Sequence, residues 1–162
     1  MSFPGSITDA KLDHTGTALV STGAASLRMW SLRPPGLTTI EVPEPPAEIA
    51  VSRDGRLIAL GGVYGMVQVR DAASLALVRS FPFAARVRDL CFDHAGERLI
   101  VAGDRAAFAV FDLSGDGVRW IENHGAYTNS LALDASGARL YTGSRDRAVR
   151  AWDLLAGALI DE

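Results

Sequence analysis

The chain has 162 residues, of which 48% are hydrophobic and 22% charged, so it can bury a core and is not an intrinsically disordered segment. Its single cysteine, Cys91, excludes an internal disulfide and a cysteine-based zinc cluster. The net charge is −3, with 15 Arg and only one Lys, which argues against nucleic-acid binding driven by overall charge.

Two short sequence phrases each recur four times along the chain. The first begins with Asp or Ser and ends three residues later at a glycine, and its glycines are almost evenly spaced: Gly16, Gly55, Gly96 and Gly137. The second is a mostly apolar run whose anchors have nearly the same spacing: Trp30, Arg70, Phe111 and Trp152. Two landmarks that shift together indicate an internal repeat of about 41 residues.

Each repeat is predicted to contain four short strands. Apolar residues alternate before each glycine phrase, which is typical of a β-strand, and these first strands end near residues 12, 51, 92 and 133. The glycine phrase predicts a turn that is closed by the Asp or Ser side chain, with glycine at positive φ. Second strands are expected at 18–21, 57–60, 99–102 and 140–142, third strands at the second phrase, and fourth strands at 38–42, 77–83, 118–122 and from 158 onward.

Four short strands at about ten-residue spacing, repeated along the chain, are typical of propeller blades. We therefore predict an all-β fold in which residues 1–162 form a single propeller segment of four-stranded antiparallel blades. The four blades are expected at approximately residues 6–44, 45–84, 85–124 and 125–162.

The fourth repeat resembles a WD-repeat unit over its whole length, from Gly137 to Leu154. His124 lies thirteen residues before Gly137, where WD repeats place the His of a Gly-His pair, and Asn123 replaces the Gly of that pair. The resemblance implies a structural hydrogen-bonded tetrad of His124, Thr142, Asp146 and Trp152. It also implies a non-catalytic scaffold that binds a protein or peptide partner and needs no cofactor.

The first three repeats depart from the WD pattern. The position of the tetrad histidine is occupied by Phe3, Val42 and Phe83, and the turn aspartate is absent or replaced by Tyr64 and Arg105. These blades are expected to depend on apolar packing, so the tetrad is predicted in the fourth repeat alone.

The family resemblance also implies a partner-binding face, made by the loops from strand four to the next strand one and the turns from strand two to three. On this chain that face would carry Tyr64, Arg86, Arg105, Tyr127, Arg145 and Arg147. Tyr and Arg are enriched at interaction hot spots. The alternative for Arg145, Arg147 and Arg150 is a solvated rim that is paired with neighbouring carboxylates.

A catalytic interpretation has one candidate group of residues, because His124, Ser144 and Asp146 are the residue types of a hydrolase triad. The tetrad explains these residues better, and the chain has no Gly-x-Ser-x-Gly elbow. A propeller hydrolase therefore remains an alternative to the scaffold.

A second alternative is a cation-binding propeller. Asp9, Glu48 and Asp89 occupy one equivalent position on the innermost strands, and a ring of these carboxylates around an axial channel could bind a cation. His14 and His94 follow aspartates at equivalent turns two blades apart, and we expect exposed turn residues there instead of metal ligands.

Blade count predicts self-association, because each blade must pack on two neighbours and four WD-like blades cover only about half a circle. Two free faces of about 500 Å² of apolar surface would each gain roughly 12 kcal/mol on burial as an upper value. The expected outcomes are a homodimer that forms an eight-bladed ring, a piece of a longer multidomain WD-repeat signalling protein, or four blades closed with strain. The first two rank nearly equal, and whole blades at both ends favour the cyclic dimer.

The longest uncharged apolar run, Leu57–Val69, is too short to span a membrane, and the N-terminus lacks the pattern of a signal peptide. These features and the lone cysteine predict a cytoplasmic protein with no membrane or nucleic-acid partner. The excess of Arg over Lys, together with many Ala, suggests a bacterial source with a GC-rich genome.

Overall fold

The computed structural model describes residues 7–13, 16, 18–23, 25–32, 35–122 and 124–162. In these residues the chain forms sixteen strands and no helix, and every four consecutive strands make one antiparallel sheet. The all-β fold of four four-stranded blades is therefore confirmed. The residues Phe3, His14 and Asn123, which entered the sequence argument, lie outside the described residues.

The strands follow one another in the same order in each sheet. The first sheet contains β1 (Asp9–Leu12), β2 (Ala18–Gly23), β3 (Ser26–Leu32) and β4 (Pro35–Glu41). The second contains β5 (Pro46–Val51), β6 (Leu57–Gly62), β7 (Met66–Asp71) and β8 (Leu77–Pro82). The third contains β9 (Val87–Phe92), β10 (Arg98–Gly103), β11 (Ala107–Asp112) and β12 (Val118–Glu122). The fourth contains β13 (Thr128–Leu133), β14 (Arg139–Ser144), β15 (Val149–Asp153) and β16 (Ala158–Asp161).

The four glycine phrases form the turns between first and second strands. Their glycines have φ between 67° and 75°, the left-handed region that favours glycine. In each turn the leading Asp or Ser side chain accepts a hydrogen bond from the backbone N–H five residues later, at 2.9–3.1 Å. The turn chemistry predicted from the sequence is thus present in all four blades.

The first strands of consecutive blades contact one another, β1 with β5, β5 with β9 and β9 with β13, so they form the inner edge of the array. One apolar cluster lies between each pair of consecutive blades. The first joins Leu27 to Ile58, the second joins Val69 to Leu99, and the third joins residues such as Phe108 to Trp152. The core is therefore divided into three interfaces between sheets.

Each interface is built from two kinds of sheet face. We call the face that packs on the following blade the C-side face, and the face that packs on the preceding blade the N-side face. In the third blade, Ile100, Phe108 and Val110 lie on the C-side face and pack in the same cluster as Leu140 and Trp152 on the N-side face of the fourth blade. No such cluster joins the fourth blade to the first in the described part of the chain.

Two faces consequently have no covering blade. On the fourth blade, the C-side face presents Tyr141, Val149 and Ala151, which cross-strand pairing places on the side opposite Leu140 and Trp152. Val149 is 64% exposed. On the first blade, the N-side face includes Leu12, which is 59% exposed, and Trp30. Both uncovered faces expose large apolar side chains among polar ones, since Arg139 and Asp153 share the face of Val149 in the fourth blade and Arg28 shares the face of Trp30 in the first.

Each of the last three innermost strands contains an irregularity that alternation alone does not predict. The pairing with the second strand skips one residue, which leaves Ala47, Arg88 and Asn129 unpaired at equivalent positions in three consecutive blades. An extra residue of this kind bends the strand and redirects its own side chain. The bulges matter below because two of the three side chains line a cleft.

Candidate functional site

The four tetrad residues of the fourth blade form one continuous chain of hydrogen bonds. His124 Nδ1 lies 2.8 Å from Asp146 Oδ2, and His124 Nε2 lies 2.9 Å from Thr142 Oγ1. The indole N–H of Trp152 donates to the same Thr142 oxygen at 2.9 Å. His124, Thr142 and Trp152 are all buried, so the chain ties the loop before β13 to β14 and β15 in a dry environment.

The chemistry of the four groups fixes the direction of these bonds. An indole N–H can only donate, so the Thr142 oxygen accepts from Trp152. The Asp146 carboxylate can only accept, so it faces a protonated Nδ1, and Nε2 of the neutral imidazole accepts the Thr142 hydroxyl proton. The imidazole proton then lies on Nδ1 and is donated to the carboxylate of Asp146. Every polar atom of the chain is satisfied, which is the condition for burying such a network without loss of stability.

Asp146 accepts further bonds, from the backbone N–H of Ala148 at 3.0 Å and of Gly125 at 3.1 Å. Burial alone would raise the pKa of this carboxyl, but the hydrogen bonds from Arg150, Ala148, His124 and Gly125 hold its pKa far below the usual range. Asp146 is therefore ionised at neutral pH.

Arg150 lies beside the tetrad. Its Nη1 donates to Asp146 Oδ2 at 2.8 Å, and its Nη2 donates to Glu162 Oε1 at 2.7 Å. Arg150 therefore takes part in an ion-paired group with Asp146 and Glu162, and its guanidinium is not free to bind a partner.

The residue types of a hydrolase triad are not assembled into one. Ser144 Oγ donates to the carbonyl oxygen of Tyr127 at 2.9 Å, while both ring nitrogens of His124 are engaged by Asp146 and Thr142. The histidine cannot activate this serine in that arrangement. Burial, and to a smaller extent the charges of Asp89 and Asp93, raise the pKa of the Cys91 thiol to about 12. Cys91 is therefore not an activated nucleophile either.

The equivalent carboxylates of the inner strands bond to backbone. Asp9 Oδ2 accepts the N–H of Ile49 at 3.2 Å, and Asp89 Oδ2 accepts the N–H of Leu131 at 2.7 Å, so each links its own blade to the next. The described residues contain no group of three or more His, Cys, Asp or Glu side chains able to hold a metal ion. His94 Nδ1 lies 3.1 Å from an Arg53 guanidinium nitrogen of the neighbouring turn.

The six residues predicted for the partner-binding face all lie in connections between second and third strands or between one blade and the next. With antiparallel order in every sheet, these connections occur at one end of the array. Tyr127 is flanked by Arg88 and Arg145, whose guanidinium carbons lie 5.9 and 5.8 Å from its ring centroid. Arg86 and Arg145 both line a cleft at this end.

The other three residues of the predicted face do not join this group. Arg105 lies over the ring of Trp120, 4.4 Å from its centroid, and donates to the carbonyl of Phe83 at 3.4 Å. Tyr64 and Arg147 lie exposed in the turns of the second and fourth blades. The predicted residues thus share one end of the molecule, but only Arg86, Tyr127 and Arg145 converge.

The cleft has a volume of about 190 Å³ and is lined by Glu48, Arg86, Val87, Arg88, Asn129 and Arg145. Sequence reasoning missed Arg88 and Asn129 because both are the extra residue of a bulge, where period-two alternation fails. The sequence shows that Arg88 and Asn129 occupy equivalent positions in successive repeats, but the direction of their side chains depends on the register between strands. Glu48 was considered only as a cation ligand.

The comparison with protein families matches a segment that runs from β12 to β15. Residues 115–153 match the family model of the WD domain, G-beta repeat. This segment is similar to a WD repeat. The resemblance expected from the sequence is therefore confirmed, and the match includes all four tetrad residues. No curated protein matches the chain.

WD repeats are generally non-catalytic and commonly mediate protein–protein interaction. The blade in which the family pattern is recognised is also the one in which the tetrad is hydrogen-bonded. The described residues contain no helix long and apolar enough to cross a membrane.

Proposed function

We propose that this chain is a non-catalytic scaffold for protein–protein interaction, and that two copies join to complete an eight-bladed propeller. The observation that carries the proposal is the pair of uncovered sheet faces on the first and fourth blades. Closing the array into a ring would cover the apolar side chains that both faces leave exposed and would hold the loops in fixed positions.

The two uncovered faces are of opposite kind. Within the chain, a C-side face always packs on an N-side face, as in the cluster between the third and fourth blades. The fourth blade has a free C-side face, and the first blade has a free N-side face. A second copy can therefore repeat the contact already used three times inside the chain.

The terminal units of a repeat protein need a polar outer surface when they meet solvent, but each uncovered face leaves large apolar side chains exposed. Tyr141 and Val149 are exposed in the fourth blade, and Leu12 is exposed in the first. Two heterologous contacts related by a twofold axis would close the ring and leave no apolar end. The second copy is thus the occupant that best fits both faces at once.

The partner-binding part of the proposal rests on the loop end of the array. Arg86, Tyr127 and Arg145 converge there beside a cleft, and these residue types are enriched at hot spots. Tyr64, Arg105 and Arg147 extend this surface over the second, third and fourth blades.

Light scattering on the purified chain tests the closure. We expect a mass of twice 17.2 kDa. Val149→Glu places a charge within the proposed contact and should convert the dimer to a monomer with unchanged circular dichroism. Leu12→Glu should do the same from the opposite face.

The matched control is Val78→Glu. Val78 is also an exposed valine, at 51%, but it lies on the outermost strand of the second blade, away from both free faces. It should leave the mass unchanged. A wild-type monomer that stays soluble, or a Val149→Glu variant that remains dimeric, would contradict the closure.

Pull-down from a lysate of the source cells tests the binding face. Charge reversal at Arg145 should reduce the recovery of native partners, because this guanidinium lies beside the cleft and has no salt bridge within the described residues. Recovery that is unchanged by reversal of both Arg105 and Arg145 would exclude this face.

A further inference from the structure

The cleft at the loop end of the array combines positive charge with an unsatisfied acceptor. Arg86 and Arg145 line it, and neither side chain makes a salt bridge in the described part of the protein. Arg88 also lines it but is paired with Asp104. Two guanidinium groups therefore line one cleft, and each presents the planar set of donors that suits a carboxylate.

Asn129 supplies the second, independent feature. Its Oδ1 atom is buried and has no hydrogen-bond partner. A buried acceptor without a donor costs free energy, so such atoms are rare and call for an explanation. Asn129 lines the same cleft as the arginines, so a rotation of its amide would present Oδ1 to a donor that enters the cleft.

The backbone brings these side chains together. Arg88 and Asn129 are equivalent bulge residues of adjoining blades, and bulges often redirect side chains towards functional sites. Gly103 allows the backbone of Arg86 to lie close to the end of β10, since a Cβ at Gly103 would overlap the carbonyl oxygen of Arg86. Three blades thus converge on one small volume, with Glu48 contributed by the second.

We propose that this cleft binds an acidic peptide segment of the partner protein, with an Asp or Glu carboxylate between Arg86 and Arg145 and a peptide N–H donated to Asn129 Oδ1. The proposal rests on the scaffold function and names its partner chemistry. A simple anion fits the arginines but brings no N–H donor, so it leaves Asn129 unsatisfied. A peptide satisfies both features.

Glu48 makes the binding depend on pH. Burial raises its pKa to about 7, with Asp9 and Asp89 raising it further, while Lys11 and Arg86 act in the opposite direction. The other charged groups of the cleft are Arg88, which is paired with Asp104, and Arg145. Protonation of Glu48 below pH 7 removes a negative charge from the cleft while an exposed peptide carboxyl, with a pKa of about 4.3, stays ionised.

Fluorescence anisotropy with a labelled octapeptide of alternating Glu and Gly tests the site, with the Gln-for-Glu octapeptide as the matched ligand. We expect the Glu peptide to bind and the Gln peptide to bind at least about tenfold more weakly. Arg86→Ala and Arg145→Ala should each weaken the Glu peptide about tenfold, while Asn129→Ala should weaken it about threefold.

Arg56→Ala is the control variant, because Arg56 is an exposed arginine in the turn between β5 and β6, at the opposite end of the blade. It should leave the affinity unchanged. Affinity should rise about threefold from about pH 8 to about pH 6, and Glu48→Gln should abolish that change.

Three results would overturn the proposal: equal binding of the Glu and Gln peptides, equal loss in Arg56→Ala and Arg86→Ala, or displacement by inorganic phosphate as effective as by unlabelled Glu peptide. The last would indicate a simple anion site. The masses of the same samples keep this test separate from ring closure. A monomer that discriminates the two peptides supports the cleft and contradicts the closure, and a dimer that does not discriminate contradicts the cleft alone.

Discussion

The third and fourth blades fill the same four positions of the repeat with opposite chemistry. The fourth has the polar tetrad, whereas the third has Phe83, Val101, Arg105 and Phe111 at the equivalent positions. Phe83, Val101 and Phe111 are fully or almost fully buried, and the Arg105 side chain turns over the ring of Trp120. The strands are nonetheless of similar length and order in both blades.

The comparison shows that a blade of this repeat can be built around buried apolar side chains or around a buried polar network whose hydrogen bonds are all made. Apolar side chains need no partners on burial, and the polar tetrad has all of its donors and acceptors paired. The third blade has neighbours on both faces, while the fourth is covered on one face only. A hydrogen-bonded network inside the fourth blade therefore stabilises a sheet that receives less support from packing.

The largest expected effect lies in the third blade. Phe111→Ala should lower the free energy of unfolding by about 4 kcal/mol, because it removes a buried ring that stacks on Phe81 at 4.7 Å between centroids. Urea unfolding followed by tryptophan fluorescence measures it. Phe111→Leu is the control, with an expected loss of about 1 kcal/mol. A loss below about 1 kcal/mol for the alanine variant would show that apolar packing does not sustain this blade.

The next effect is in the middle of the tetrad. Thr142→Val keeps the shape of the side chain but removes the hydroxyl, which leaves the Trp152 N–H without its acceptor and His124 Nε2 without its donor. We expect a loss of about 2 kcal/mol in the free energy of unfolding, again from urea unfolding.

The reverse substitution in the third blade provides the matched test. Val101→Thr places a hydroxyl at the equivalent position among apolar neighbours, where it has no tetrad to join, and should also cost about 2 kcal/mol. If Thr142→Val were neutral while Val101→Thr was costly, the fourth blade would depend on packing like the third.

Much of this contrast could be predicted from the sequence. The turn residues and the alternation are local signals, so strands and turns were predicted close to their observed places. One difference is β4, which begins at Pro35, three residues before the predicted start, because its ladder with β3 continues to the pair Leu32 and Pro35. The tetrad residues were also identified, since their spacing in the fourth repeat is that of the family.

The cleft could not be predicted in the same way. Asn129 and Arg88 point where they do because the inner strands slip by one residue against their neighbours, and that register depends on contacts between strands. Arg150 provides a second example, because its ion pair joins β15 to Glu162, the residue that follows β16. Long-range register therefore decides which charges are paired and which are free.

A smaller expected difference between the two blades is the effect of acid pH on the melting temperature. Asp146 has its pKa depressed from 3.8, so the unfolded chain binds the proton more readily and the network's contribution is lost as the pH falls below that value. Asp146→Asn should therefore flatten the decline of the melting temperature between about pH 5 and about pH 2. The apolar positions of the third blade contain no such group, so Phe111→Leu should leave the slope unchanged. Equal slopes in Asp146→Asn and the wild type would contradict the assignment.

The smallest effect is expected at the outer end of the same network. Glu162→Gln removes the carboxylate that Arg150 contacts at 2.7 Å, but the Glu162 side chain is 55% exposed and its interaction is screened by water. We expect a loss of at most about 0.5 kcal/mol, in urea unfolding with and without added salt. A double-mutant cycle with Thr142→Val should then be additive, because the stabilising bonds of the tetrad lie in the buried chain from Trp152 to Asp146. Coupling above about 1 kcal/mol would instead mean that Arg150 must be held from both sides to keep Asp146 in place, and that the polar blade extends to its outermost strand.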